Sequence, residues 1–219
     1  VDLERFPDFE GDDVSVQAVG VVPVIAHRTF TDYAEYVYKQ GGKMRGVLRE
    51  YTLRHLEKRT DWNRKIFKKA KAHLKPGAIL CLGARTGAEN LGAIAAGFVG
   101  SVGIDLHPVG PSVVFGDWHE MPVADHVFAN VYSNSLDHCL YLDQLVSEVR
   151  RVLAPDGRFY VMASNRAQSL EFWMDKGKNE ALYWDTSDAL RDAICELGMA
   201  TVTEWRHGKW GHYIFGVRP

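Results

Sequence analysis

Apolar positions along the chain alternate between two rhythms. Short continuous runs, AILCL from Ala78, FVGSVGIDL from Phe98, SVVFG from Ser112, HVFANVYS from His126 and RFYVMAS from Arg158, read as strands buried on both faces. Between them apolar residues recur at helical spacing. Residues 141–153 place Leu142, Leu145, Val146, Val149 and Leu153 on one side of a helix. Thr186-Ser187 opens a later one, DALRDAICELG, with Gly198 in the position that ends it. Two aromatic-rich strands, ATVTEWRHG and WGHYIFGVR, close the chain. Strands alternating with helices predict an open, mostly parallel α/β sheet.

The first of these units organises the others. The run from Ala78 closes on Gly83, the chain turns through Ala84, Arg85 and Thr86, and Gly87 opens a helix of small residues reaching to about Gly97. Strand, glycine turn and helix N-terminus together form one wall of a ligand crevice. The next strand ends in Asp105, about twenty positions beyond the turn, where this arrangement holds the ribose hydroxyls of a nucleoside.

Ahead of that unit the pattern is looser. Residues 1–30 begin acidic and turn apolar in VSVQAVGVVPVIA, a potential short strand interrupted by Pro23, so an irregular arm is expected. From Thr31 the chain reads as helix: Thr31 or Asp32 can cap TDYAEYVYKQ, and Gly41-Gly42 ends it. Met44, Val47, Leu48 and Tyr51 share one face of a second helix. Trp62, Ile66, Phe67, Ala70 and Leu74 share that of a third, which Pro76-Gly77 stops.

Composition adds limits. At 219 residues, 46% hydrophobic and 25% charged, the chain can bury one sizeable core. A net charge of −2 gives no chain-wide case for nucleic acid or membrane, and no apolar run approaches the roughly 18 residues of a membrane helix. Three scattered cysteines, Cys81, Cys139 and Cys195, point to reduced thiols and a cytoplasmic protein. Charge is uneven locally: residues 43–75 hold twelve Lys/Arg against three acidic residues. That stretch is either the solvated face of amphipathic helices or a funnel for a phosphate-bearing substrate such as a nucleotide sugar or RNA.

The glycine-turn segment resembles motif I of the class I S-adenosylmethionine (SAM) dependent methyltransferases, an apolar strand followed by L-G-x-G-x-G. The resemblance covers about residues 70–219. EMPVADHVFANVYSNS is similar to the family's fourth-strand motif, and EVRRVLAPDGRF to the E-x-x-R-V-L-x-P-G-G before its fifth strand. It implies a Rossmann-like seven-stranded sheet in the order 3-2-1-4-5-7-6 with one antiparallel strand and helices on both faces. Residues 1–70 would be an arm and helical cover over the active site, and residues 71–219 the SAM-binding domain. The cofactor contacts it implies are Gly83, Ala84, Arg85, Thr86 and Gly87 of the turn, Glu89, Asp105 with Leu106, Gly116, Asp117 and Trp118 around the adenine, and Ser133 and Asn134 on the carboxyl edge. Asp117 would accept from the adenine amino group.

Two positions depart from the pattern: Cys81 replaces a frequent acidic residue, and Arg85 replaces the middle glycine, which limits how closely backbone and ligand approach. Arg85 reads as a partner for the cofactor carboxylate or as a surface cation, and Glu89 as a partner for its ammonium. For the chemistry, His138 in S-L-D-H is either the general base for a hydroxyl acceptor or a packing residue beneath the cofactor, with His119 as a second candidate. Asp137 and Asp143 follow the fourth strand, but the fifth ends in Ala163-Ser164-Asn165 without a carboxylate, so no metal is expected. The expected activity is methyl transfer from SAM to a small molecule or saccharide, at a hydroxyl. The rivals are an RNA or protein methyltransferase using residues 43–75, and an inactive methyltransferase-like scaffold.

Overall fold

In a computed structural model, residues 25–41, 54–110, 112–165 and 180–218 are described. Strand β1 (Ile25–His27) leads into helix α1 (Tyr33–Gly41). Asp32 is the residue that caps α1: its Oδ1 accepts from the Glu35 amide at 2.8 Å, while Glu35 Oε2 reaches back to the Thr31 amide at 2.6 Å. Helix α2 (Leu56–Ala70) follows. The second helix expected over Met44 to Tyr51, and the arm before residue 25, lie outside the described residues.

The third expected helix ends sooner than its apolar spacing implied. A single 3-10 turn, Lys71–His73, follows α2, and Leu74 is already extended (φ −94°, ψ 157°). The run-up to Pro76 accounts for this, because the ring disfavours helical geometry in the residue before it and the tightened turn lets the chain leave early.

The alternation then appears as read: β2 (Ile79–Leu82), α3 (Ala88–Ala95), β3 (Val102–Asp105), β4 (Val113–Phe115), β5 (Phe128–Ser133), α4 (Leu142–Val152) and β6 (Leu153–Ser164). After β7 (Leu182–Trp184) come α5 (Ser187–Glu196), β8 (Met199–His207) and β9 (Trp210–Val217). Thr186 caps α5, its side chain accepting from the Ala189 amide. Seven strands form one sheet in the order β4-β3-β2-β5-β6-β9-β8, with β9 antiparallel to both neighbours, as the family resemblance implied.

Strand alternation sorts the core into two layers. Leu80, Leu82, Val131, Phe159, Val161 and Phe215 pack against Leu145, Val146 and Val149 of α4 and Leu190 and Ile194 of α5. Ile79, Cys81, Tyr132, Tyr160 and Met162 face Phe67 and Ala70 of α2 and Ala93 of α3. All three cysteines are free thiols; Cys81 and Cys139 are buried and Cys195 is half-buried.

Two features were not legible in advance. β1 pairs antiparallel with β7, Ile25 opposite Trp184 and His27 opposite Leu182, making a two-stranded ribbon beside the main sheet. The E-x-x-R pair of the phrase before β6 is a polar clamp. Glu148 accepts from the Met121 amide (2.7 Å) and from Arg151, whose guanidinium also donates to the carbonyls of Met121 and Val123 and to Asp125. Arg151 thereby fastens the loop after β4 to α4. Its hydrogen bonds are the leading cause that holds the Glu148 carboxyl below its ordinary value. Replacing Arg151 with methionine is expected to cost about 2 kcal/mol, discounted for partial exposure. A urea midpoint shifted by less than about 0.5 kcal/mol equivalent would show that the clamp is ornamental.

Candidate active site

Parallel strands end together, so the turns after β2, β3, β4 and β5 meet at one edge. After β2 the amides of Gly83 and Ala84 both donate to the Ile104 carbonyl, and Gly87 closes the turn on the Ala84 carbonyl at 2.7 Å. Gly83 has φ +70°, and a Cβ there would lie 2.9 Å from Trp118 Cζ3 and 3.0 Å from Ser135 Cβ. Glycine is needed at this turn because both the conformation and the neighbours exclude a side chain. Gly87 (φ +85°) opens α3 and faces Ser112 and Val113 instead.

Arg85 is left-handed as well (φ +38°). Its guanidinium turns out of the glycine turn: Nη2 donates to the Gln40 carbonyl at 3.3 Å and Nε lies 3.6 Å from Asp105 Oδ1. A cation thus meets the carbonyl end of α1. Asp105, 5% exposed, accepts from the Arg85 amide (3.1 Å) and the His107 amide (2.7 Å), one on each oxygen. A carboxylate has about four acceptor sites, so capacity remains on both oxygens.

Asp117 follows β4. It accepts from the Tyr33 hydroxyl, the His119 amide (2.8 Å) and His119 Nδ1 (2.9 Å). Burial pushes its pKa up, but the bonds from His119 and Tyr33 outweigh that and hold it below the ordinary carboxylate value. Burial first, and Asp117 second, raise the Tyr33 phenol. His119 Nε2 receives the Tyr141 amide at 3.2 Å, so the network assigns the Nδ1–H tautomer. This makes His119 a fixed partner of Asp117. The buried Trp118 indole lies along the Gly83 turn, and Gly116 donates to the Asp105 carbonyl.

After β5, Ser133 Oγ donates to the Leu82 carbonyl and accepts from the Ser135 amide, and Asn134 accepts from Ser135 Oγ. A 3-10 turn, Leu136–His138, follows. His138 Nε2 is 4.0 Å from Asp137 Oδ2, and its carbonyl accepts from the Tyr36 hydroxyl at 2.9 Å. The Asp137 carbonyl takes the Ala181 amide, tying this turn to the segment that leads into β7.

The edge therefore brings together Gly83, Ala84, Arg85, Asp105, Gly116, Trp118 and the segment after β5. Leu106 packs under α1, with Tyr36, Leu140 and Ala181. Glu89 is on the α2 side of α3, 3.3 Å from Arg59. Burial raises the Glu89 pKa, with Arg59 and Asn134 among the groups opposing it. Sequence reasoning expected a helical cover but did not name the residues by which α1 meets this edge: Tyr33 binds Asp117, Tyr36 binds the His138 carbonyl, His107 Nε2 is 2.8 Å from the Val37 carbonyl, and Gln40 takes Arg85. The available signal was Tyr33 and Tyr36 three apart, on one helical face. Removing the hydroxyl in Tyr33→Phe is expected to loosen this crossing by about 1 kcal/mol, read as roughly 5-fold faster amide exchange in α1. Unchanged exchange would mean the helix is held without that bond.

Residues 94–161 match the family model described as "Methyltransferase domain". The chain matches no curated protein by sequence. Among solved structures it is similar to Burkholderia thailandensis 1,6-didemethyltoxoflavin-N1-methyltransferase with bound 1,6-didemethyltoxoflavin and S-adenosylhomocysteine (SAH), at 14% identity and TM-score 0.67, over 89% of this chain and 95% of that one. It is also similar to the methyltransferase in complex with the Trm112 activator from Haloferax volcanii, at 15% identity and TM-score 0.60, over 84% and 98%. A third similar structure is Haemonchus contortus phosphoethanolamine N-methyltransferase 2, at 13% identity and TM-score 0.58, over 73% and 53%. At such identities the likeness speaks for the fold. Over residues 94–161 the domain match, and over the sheet the strand order, give this chain the fold of the class I SAM-dependent methyltransferases.

Proposed function

We propose that this SAM-dependent methyltransferase transfers its methyl group to a small-molecule or saccharide acceptor, at a hydroxyl. The observation that carries the reading is the meeting of Gly83, Asp105, Asp117 and the His138 turn at one edge, under α1. The two solved relatives whose names carry small compounds, 1,6-didemethyltoxoflavin and phosphoethanolamine, favour a small acceptor.

The residues present fit SAM. Two buried polar atoms at and just beyond the glycine turn, Thr86 Oγ1 and Glu89 Oε2, have no protein partner. Such atoms are rare in folded proteins and suit a polar, zwitterionic ligand. Asp105 would hold the ribose diol, Asp117 the adenine amino group with Trp118 against the ring, and Glu89 the ammonium. Arg85 directs its guanidinium away from the turn, toward the Gln40 carbonyl and Asp105.

SAM supplies, when bound, a methyl group already activated on a sulfonium, so the protein's work is alignment and proton removal. His138, with Asp137 beside it, is the proposed base for the acceptor hydroxyl. Helix α1 excludes water from the strand-end edge. Its tether to the His138 carbonyl through Tyr36 sets the turn that carries the imidazole.

Calorimetry with SAH, followed by labelled methyl transfer to panels of hydroxyl and amine compounds, tests the proposal. His138→Ala should lower kcat by about 100-fold or more while SAH affinity stays unchanged. Equal activity in the variant would make His138 a packing residue, and no heat with SAH would remove the cofactor assignment. Acceptance of amines alone would overturn the hydroxyl.

A further inference from the structure

A cavity of about 430 Å³ lies on the α2 face of the sheet, between α2 and strands β6, β8 and β9. Its size falls in the range of small-ligand sites. None of the residues assigned above to SAM or to proton removal lines it, so it is a separate place on the molecule.

Its walls are aromatic. Trp205 is stacked on His212, ring centroids 4.9 Å apart and 6° from parallel, and Trp62 meets Trp210 edge-on at 6.4 Å. The floor is buried: Tyr160 and His212 are joined by a 2.7 Å hydrogen bond between the phenol oxygen and Nδ1. Burial, reinforced by His207 and Lys69, pushes the His212 imidazole down to about 4, so at neutral pH it is an uncharged ring.

The rim is cationic. Lys65, Lys69 and Lys209 all line the cavity, and among the described residues no Asp or Glu does. Lys65 is engaged by Asp61 at 2.7 Å, and Lys209 Nζ stands 5.3 Å from the Trp210 ring centre. Aromatic surface welcomes a planar ring, and adjacent ammonium groups welcome an anion. A neutral aromatic compound would leave the lysines unused, and an aliphatic anion the rings. Both are satisfied by a base carrying a phosphate.

We propose that this cavity binds a nucleotide, with the base against Trp205 and Trp210 and the phosphate on Lys69 and Lys209. The nucleotide is either free or the exposed end of an RNA. The same chemistry serves both.

Calorimetry on the whole chain, saturated with SAH to keep nucleosides out of the strand-end crevice, tests this with uridine 5′-monophosphate. The mononucleotide should bind about 10-fold more tightly than uridine or inorganic phosphate. Trp205→Ala should weaken it about 10-fold, the scale of one base–aromatic stack. The double variant Lys69→Glu, Lys209→Glu should weaken it at least as much, with SAH affinity unchanged in both. Those two lysines lie on the rim, so that variant remains informative if the tryptophan change disturbs β8. A hexauridylate that binds more tightly than the mononucleotide, with steeper salt dependence, identifies RNA as the source; equal affinity identifies the free nucleotide. No heat from the mononucleotide at millimolar concentration, or affinity unaltered in both variants, overturns the proposal. Neither result depends on methyl transfer, so it fails or stands apart from the acceptor assignment.

Discussion

Replacing Asp105 with alanine is expected to weaken SAH binding by about 100-fold or more, because on the proposed placement two ribose hydroxyls would lose a charged acceptor and each such bond contributes about 1.5–3 kcal/mol. Alanine also strips the Arg85 and His107 amides of their partner, so part of the loss would come from a loosened turn. Asp105→Asn separates the two. Its amide oxygen still accepts one backbone bond, and its loss of affinity should be smaller than alanine's. The measurement is calorimetry with SAH, with thermal unfolding as the control for folding. Wild-type affinity in Asp105→Ala would show that no nucleoside is held there.

Gly83→Val is expected to destabilise the protein by about 3 kcal/mol and to abolish SAH binding at concentrations that saturate the wild type. A β-branched residue at φ +70° is strained by itself, on the order of 1–3 kcal/mol. Its Cβ would then press on Trp118 Cζ3 and Ser135 Cβ, 2.9 and 3.0 Å away. Urea unfolding reads the first effect and calorimetry the second. Full SAH affinity in a destabilised variant would separate the turn from the cofactor and sink its assignment.

How much of this was legible follows the range of the forces involved. β2 and α3 are local: an apolar run, a glycine turn and small residues suffice to specify them, and the strands ending at Asp105 and Ser133 were read the same way. The β1–β7 ribbon is the opposite case. Three residues beyond Pro23 become a strand only because Leu182–Trp184, more than 150 positions away, supply the pairing. Arg151 was visible as part of a motif, but its role as a clamp depends on carbonyls that fold beside it. At the site, Asp105 was named from a strand end, and Asp117 and Trp118 from the family resemblance. Tyr33 and Gln40 were not, because their reach is set by where α1 docks. Residues 43–75 illustrate both limits at once, since Lys65 and Lys69 border an aromatic cavity whose other side comes from β8 and β9.

Helix α1 is fastened at four points, through Tyr33, Tyr36, Val37 and Gln40, to four different stretches of the strand-end edge. On the proposed placement of a nucleoside between Asp105 and Asp117, α1 would lie across it, and release of SAH would wait on the lifting of this nine-residue helix.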